Sequence, residues 1–230
     1  MTRWPSLSVV VCAYDEAENV AAVLEETVDY LRRSADDFEV LVVDDGSRDD
    51  TAERAEAFGA MEARVRVIRH GRNRGIGAAL QTGYAAARCE WVTFLPADGQ
   101  IDPAEIALFL GAAARADLVT SRYASRDDNT WRLFLSKGLR ILVRTIGGRT
   151  APSQGIYVVR REVLQRIPLR SESFFLNLEL PLRAARMGLR VETVTMHARA
   201  RRSGASKSSG LRQIRTVFTE LVKYRLGPRP

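Results

Sequence analysis

At 230 residues the chain is long enough for one domain with a full hydrophobic core. Its two cysteines cannot form a disulfide framework and its two histidines exclude most zinc chemistry, so a reducing compartment is expected and any metal would be an oxygen-bound ion such as magnesium, manganese or calcium. The net charge of +7 is concentrated at one end: the last 34 residues carry nine Lys and Arg against Glu220 alone, a pattern that calls for an anionic partner (nucleic acid, an acidic membrane or a phosphorylated ligand) or else a solubilising tail.

The N-terminal half alternates short apolar runs with longer amphipathic stretches. Strands are expected at 7–13, 38–44, 65–69 and 91–95, and helices at 16–33, 50–58 and 75–88. Near-continuous runs such as VLVVDD are typical of parallel strands covered on both faces, so the expected class is α/β, a mostly parallel central sheet flanked by helices and wound as βαβ units. Asp102, Pro103 and Glu105 read as N-cap, N1 and N3 of a helix reaching about 115.

A strand at 117–121, a polar loop and a helix over 131–146 follow. That helix carries an apolar stripe opposite Arg132, Arg140 and Arg144, equally suited to a membrane surface and to a packed helix with a solvated face. Further elements are expected at 156–159, 176–187 and 190–195. The final helix, 211–226, is read with Leu211, Ile214, Phe218, Leu221 and Val222 on its buried side and Arg212, Arg215 and Lys223 outside. The division expected is one α/β domain over 1–210 and a basic amphipathic helix and tail over 211–230. No apolar run approaches the roughly 18 to 20 residues of a membrane span, and residues 1–6 lack a signal-peptide core, so a cytoplasmic or peripheral protein is expected.

In open α/β sheets ligands gather at the carboxyl ends of the strands. Here the first strand delivers Tyr14, Asp15 and Glu16, the second Asp44 and Asp45, and the fourth Asp98 and Gln100. A single acid at such an edge is commonly a turn or cap residue, whereas acids on three neighbouring strands suggest a site. The run GIGAAL after the third strand is not a dinucleotide fingerprint, because it follows the wrong strand and ends in Leu80. Its glycines still expose backbone N–H groups at a helix start, beside Arg72 and Arg74, which suits a phosphate. Asp98 and Gln100 offer two hard oxygens at alternate turn positions, fit for a divalent ion shared with phosphate.

Taken in order, VVVCAYDE, LVVDDGSRDDT, NRGIGAAL, LPADGQIDP and RSGASK resemble glycosyltransferase family 2 with the GT-A fold, and within it the dolichol-phosphate mannose synthase-like group. The resemblance implies a nucleotide-sugar donor of the GDP-mannose or UDP-glucose type, an inverting displacement and Mg2+ or Mn2+. It places Cys12, Tyr14, Glu16, Asp44, Asp45, Arg74, Arg201, Ser206 and Lys207 around the donor and Asp98 and Gln100 at the metal and diphosphate. Arg122, Arg132 and Lys137 would receive an acceptor phosphate, and Glu179 takes the key position of the acidic segment before the last core strand. Three positions depart from the family pattern: Pro96 stands where Asp-x-Asp would open, Cys12 where Pro is usual, and Gln154 where a small residue precedes Gly155.

A polyprenyl or dolichyl phosphate acceptor needs no general base, since its oxygen is already ionised near neutral pH. With no histidine in these motifs that is the simpler chemistry, and the enzyme would work at the cytoplasmic face of a membrane. A sugar, metabolite or protein hydroxyl acceptor would instead need Asp98 or Glu179 as base. A third reading is a silent nucleotide-sugar-binding protein disabled by Pro96. Nucleic acid is not expected as a partner, because the basic loop has no interleaved aromatic residues.

Overall fold

The computed structural model describes residues 3–124, 155–199 and 211–226. Within them a seven-stranded sheet has the order β3-β2-β1-β4-β6-β5-β7. Its strands are β1 (Trp4–Ala13), β2 (Ala35–Asp44), β3 (Val65–Arg69), β4 (Trp91–Pro96), β5 (Leu118–Tyr123), β6 (Tyr157–Arg160) and β7 (Val191–Met196). β1 pairs in parallel with β2 and β4, and β3 extends the parallel half beyond β2. Only β6 runs against its neighbours, so β5 and β7 point the same way as β4 and six strands end on one edge.

The helices cover both faces. α1 (Val20–Ser34) buries Val20, Val23, Leu24, Val28 and Leu31, the three-and-four spacing of a helix lying on a sheet. α2 (Thr51–Met61) and α3 (Ile76–Ala86) complete the parallel crossovers. In α3, Gly83 lies against the Val10 side chain so closely that any Cβ would overlap it, which brings helix and strand together. Asp102 caps as expected, its Oδ1 accepting from the Ala104 N–H at 2.9 Å. It opens a 3-10 turn, Pro103–Ile106, that leads into α4 (Ala107–Ala113).

Most expected elements are found with ends moved by a few residues; β1 and β2 begin three residues early, at Trp4 and Ala35. The short α5 (Arg161–Arg166) has no capping signature and is not foreseen by periodicity. The helix expected at 131–146 lies outside the described residues.

α6 (Leu176–Arg186) and α7 (Leu211–Leu226) form a satellite core of Phe175, Leu178, Leu182, Val217, Leu221 and Tyr224. This shifts the expected face of α7: Val217, Leu221 and Tyr224 point inward, while Phe218 is 50 % exposed. The Arg186 guanidinium stacks on the Tyr224 ring at 4.0 Å, so a cation of α6 serves the packing. Leu221→Ala should therefore lower unfolding free energy by about 2–4 kcal/mol and Phe218→Ala by less than about 1 kcal/mol. Urea titration of the two variants checks this; equal losses would contradict the packing.

Candidate active site

The register fixes the site. Ala13 lies level with Asp44, Cys12 with Pro96, and Asp44 with Arg69, so the chain leaves β1, β2, β3 and β4 at the same height. Three backbone bonds continue the ladder past the strand ends: Asp45 N–H to Ala13 O (2.8 Å), Ala97 N–H to Cys12 O (3.0 Å) and His70 N–H to Asp44 O (2.9 Å). The Cys12 carbonyl is thus occupied by Ala97, and burial, with the Asp45 charge second, pushes the Cys12 thiol well above its ordinary value, keeping it uncharged.

The β1–α1 loop is laced to the β2–α2 loop. Asp15 has φ +49°, a left-handed conformation that Asp tolerates better than most residues. Its N–H donates to Ser47 Oγ at 2.9 Å and its Oδ1 accepts from Arg48 N–H at 2.7 Å. The Glu16 N–H donates to Thr51 Oγ1 at 2.7 Å, and its carboxylate accepts from Asn19 Nδ2 at 2.7 Å. Tyr14 is half-buried where β1 ends.

Adjacent acids at the end of β2 have opposite fates. Asp45 is fully engaged: Oδ1 accepts from Arg74 N–H (2.9 Å) and His70 Nδ1 (2.8 Å), and Oδ2 from Gly75 N–H (2.8 Å). It holds the 70–75 turn rather than presenting a carboxylate to a ligand. Asp44 is 3 % exposed, and its Oδ2 accepts from Ser47 N–H at 3.3 Å. Its Oδ1 is buried with no hydrogen-bond partner among the described residues. A buried carboxylate oxygen left without a donor is costly, and such exceptions concentrate where a ligand supplies the missing group.

The start of α3 differs from expectation. Ala78 N–H donates to Glu172 O at 3.2 Å, and a Cβ on Gly77 would come within 2.7 Å of the 171–173 backbone. The segment before α6 therefore covers this end, and the Arg74 guanidinium pairs with Glu172 at 2.8 Å. The phosphate-binding role expected of the α3 N-terminus is not supported, because protein atoms fill that space.

Beyond β4, Gly99 at φ +71° turns the chain so that Gln100 N–H donates to Asp98 Oδ1 at 3.0 Å. The strand after α6 returns to this turn: Arg199 N–H donates to Gln100 O at 2.8 Å, and its guanidinium pairs with Asp102 and, at 3.1 Å, with Glu26. Arg201, Ser206 and Lys207 lie outside the described residues, as do Arg132, Lys137 and Gln154. Arg122, next to last in β5, lies towards the same edge as Asp98, exposed, with Nε donating to Thr195 Oγ1 at 3.1 Å.

Glu179, a base expected for a hydroxyl acceptor, is engaged by the protein itself. It is 2 % exposed, its Oε2 accepts from the Arg170 and Ser171 N–H groups at 3.0 and 2.8 Å, and its Oε1 from Arg183 Nε at 2.7 Å. A carboxylate holding three donors inside the domain organises the loop before α6. The sequence reading missed His70, Ser47, Asn19 and Thr51; of these only His70, one of two histidines and directly after a strand, carried a signal.

Comparison with known proteins accords with this geometry. The profile described as glycosyl transferase family 2 matches residues 8–176. An undecaprenyl-phosphate 4-deoxy-4-formamido-L-arabinose transferase of Pectobacterium carotovorum is 30 % identical over 223 residues, 94 % of this chain and 67 % of that one. The protein of the same name from Pseudomonas fluorescens is 29 % identical over 94 % of this chain. The chain spans 64 % of that relative's length. Among solved structures, glucosyl-3-phosphoglycerate synthase of Mycobacterium tuberculosis with Mn2+, uridine diphosphate and glucosyl-3-phosphoglycerate superposes with a TM-score of 0.72 at 25 % identity, covering 97 % of this chain and 81 % of that one. The profile spans most of the chain and the fold superposes on a solved glycosyltransferase, and the chain belongs to glycosyl transferase family 2, a glycosyltransferase with the GT-A fold.

Proposed function

We propose that the protein transfers a sugar from a uridine diphosphate sugar to a polyprenyl phosphate, with inversion at the anomeric carbon. The observation that carries the donor half is Asp44, a buried carboxylate with an open oxygen at the carboxyl edge of the sheet. A nucleobase ring N–H or a ribose hydroxyl supplies the donor it lacks. Uracil is favoured over guanine by the Mycobacterium tuberculosis structure holding uridine diphosphate, and the lipid phosphate by the names of the curated relatives.

Asp98 and Gln100 suit Mg2+ or Mn2+ through their chemistry: one carboxylate and one amide oxygen, with Pro96 in place of a second acid, leave most of the coordination shell to diphosphate and water. Such an ion, when bound, offsets charge on the departing diphosphate. The chain's own residues do the rest. Asp44, Tyr14 and Glu16 orient the nucleoside. Arg201, Ser206 and Lys207 take the donor phosphates.

Arg122, with Arg132 and Lys137, receives the acceptor phosphate. The acceptor oxygen forms its bond to the anomeric carbon as the bond to diphosphate breaks and the electron pair leaves with the nucleotide. No group need accept a proton, which accords with Glu179 being engaged elsewhere. The lipid acceptor requires the protein to sit at the membrane, on its cytoplasmic face. The exposed Phe174 and Phe218 suit peripheral contact, and none of the described helices is long and apolar enough to cross a membrane.

Three outcomes test this reading. Asp44→Asn should raise the melting temperature of the free protein while weakening uridine diphosphate binding about tenfold, since a charge-assisted bond becomes a neutral one. A lower melting temperature with unchanged affinity in calorimetric titration contradicts it. Arg122→Ala should abolish transfer to a polyprenyl phosphate and leave donor affinity intact; parallel loss of both would remove Arg122 from the acceptor side. Glu179→Leu should cost about 3–5 kcal/mol of stability by stranding Arg183. Its folded fraction, measured by chemical denaturation, should retain turnover, whereas a folded but inactive variant would restore Glu179 as a base.

A further inference from the structure

We propose that His70 is a positioning residue for the nucleotide pocket, fixing Asp44 through the adjacent Asp45; the inference rests on the donor reading of Asp44. His70 follows β3 and is almost wholly buried, its side chain 6 % exposed against 5 % for Asp45. It holds β2 at two consecutive residues. Its N–H donates to the Asp44 carbonyl at 2.9 Å, and its ring Nδ1 lies 2.8 Å from Asp45 Oδ1.

A carboxylate can only accept, so Nδ1 carries the proton. In the neutral ring Nε2, 2.9 Å from Thr82 Oγ1, then accepts from that hydroxyl. The tautomer is thereby set by a chain from α3 through His70 to Asp45. Asp45 in turn holds Arg74 N–H and Gly75 N–H. The 70–75 turn it secures presses on Gly46, φ +72°, so closely that a Cβ there would run into the Arg72 backbone.

The turn Asp44–Asp45–Gly46 is consequently clamped from the side opposite β1. What it carries is the buried Asp44 Oδ1, the oxygen of the pair without a donor among the described residues. Asp44 Oδ2 meanwhile accepts from Ser47 N–H within the same turn. Without the His70 bond, Asp45 loses one of three donors and the turn gains a second arrangement, in which Asp44 no longer faces the base at a fixed angle. The effect falls on nucleotide affinity, while the groups assigned to the acceptor and the diphosphate stay where they are.

The test is calorimetric titration of uridine diphosphate, with Mn2+, into wild type, His70→Ala, His70→Asn and His70→Gln, with melting curves confirming that each is folded. An Asn amide places an N–H where Nδ1 lies and a Gln amide places one where Nε2 lies. Binding should weaken about tenfold in His70→Ala and His70→Gln, the loss of a hydrogen bond to a charged group, and stay within about twofold of wild type in His70→Asn. Wild-type affinity in His70→Ala, or equal weakening in the Asn and Gln variants, overturns the proposal. If His70→Ala does not fold, the Asn and Gln pair decides. Failure of wild type to bind either uridine or guanosine diphosphate removes the donor reading and this inference together, a result seen before any variant is titrated.

Discussion

The pairing of β1 between β2 and β4 is the constraint on which the site depends. Side chains alternate along a strand, so a one-residue slip would turn Asp44 to the opposite face and carry Asp98 out of line with it. The ladder opposes slippage because β1 is apolar and buried almost throughout and is bonded along its length on both sides. Hydrogen bonds beyond the strand ends, from Asp45, Ala97 and His70, extend that order into the loops. The rigidity a binding loop needs is supplied by the same backbone pairing that holds the core.

Carboxylates of the same chemical type have separate tasks in this framework. Asp45 binds a turn, Glu179 binds the loop before α6, Asp15 joins two loops, Glu16 holds Asn19 within its own loop, and Asp44 keeps an oxygen without a donor among the described residues. Sequence alone shows that acids leave three neighbouring strands, since alternation and run length place the strands. It does not show which acids are consumed by the protein, because their donors come from far along the chain: Gly75 meets Asp45 across 30 residues and Arg48 meets Asp15 across 33. The fold class and most element positions were accordingly legible. The roles of Asp45, Arg74 and Glu179 were not, and the phase of α7 was missed because Val217, Leu221 and Tyr224 are chosen by the shape of α6 rather than by hydropathy.

The basic excess of the last 34 residues also divides on inspection of the fold. Arg199 is tied to Asp102 and Glu26, acids of the near-neutral core, and so helps hold the Asp98 turn. The lone acid of the region, Glu220, accepts from Ser171 Oγ at 2.7 Å and also from Ser173, fastening α7 to the loop before α6. Charge that looks like a uniform tail is part structural rivet and part free cation, with Lys223 exposed on α7.

The 171–173 segment is held from three directions: Glu179 takes the Ser171 N–H, Glu220 the serine hydroxyls, and the glycine-bearing start of α3 lies flat against its backbone. In evolutionary terms this makes it a stretch of fixed length. An inserted residue would have to be accommodated simultaneously by α3, α6 and α7, and neither Gly75 nor Gly77 can take a side chain without displacing it. Variation in length among descendants of this chain should therefore collect elsewhere, in surface connections such as the one between α2 and β3, leaving this turn as a ruler by which the three helices keep their distance.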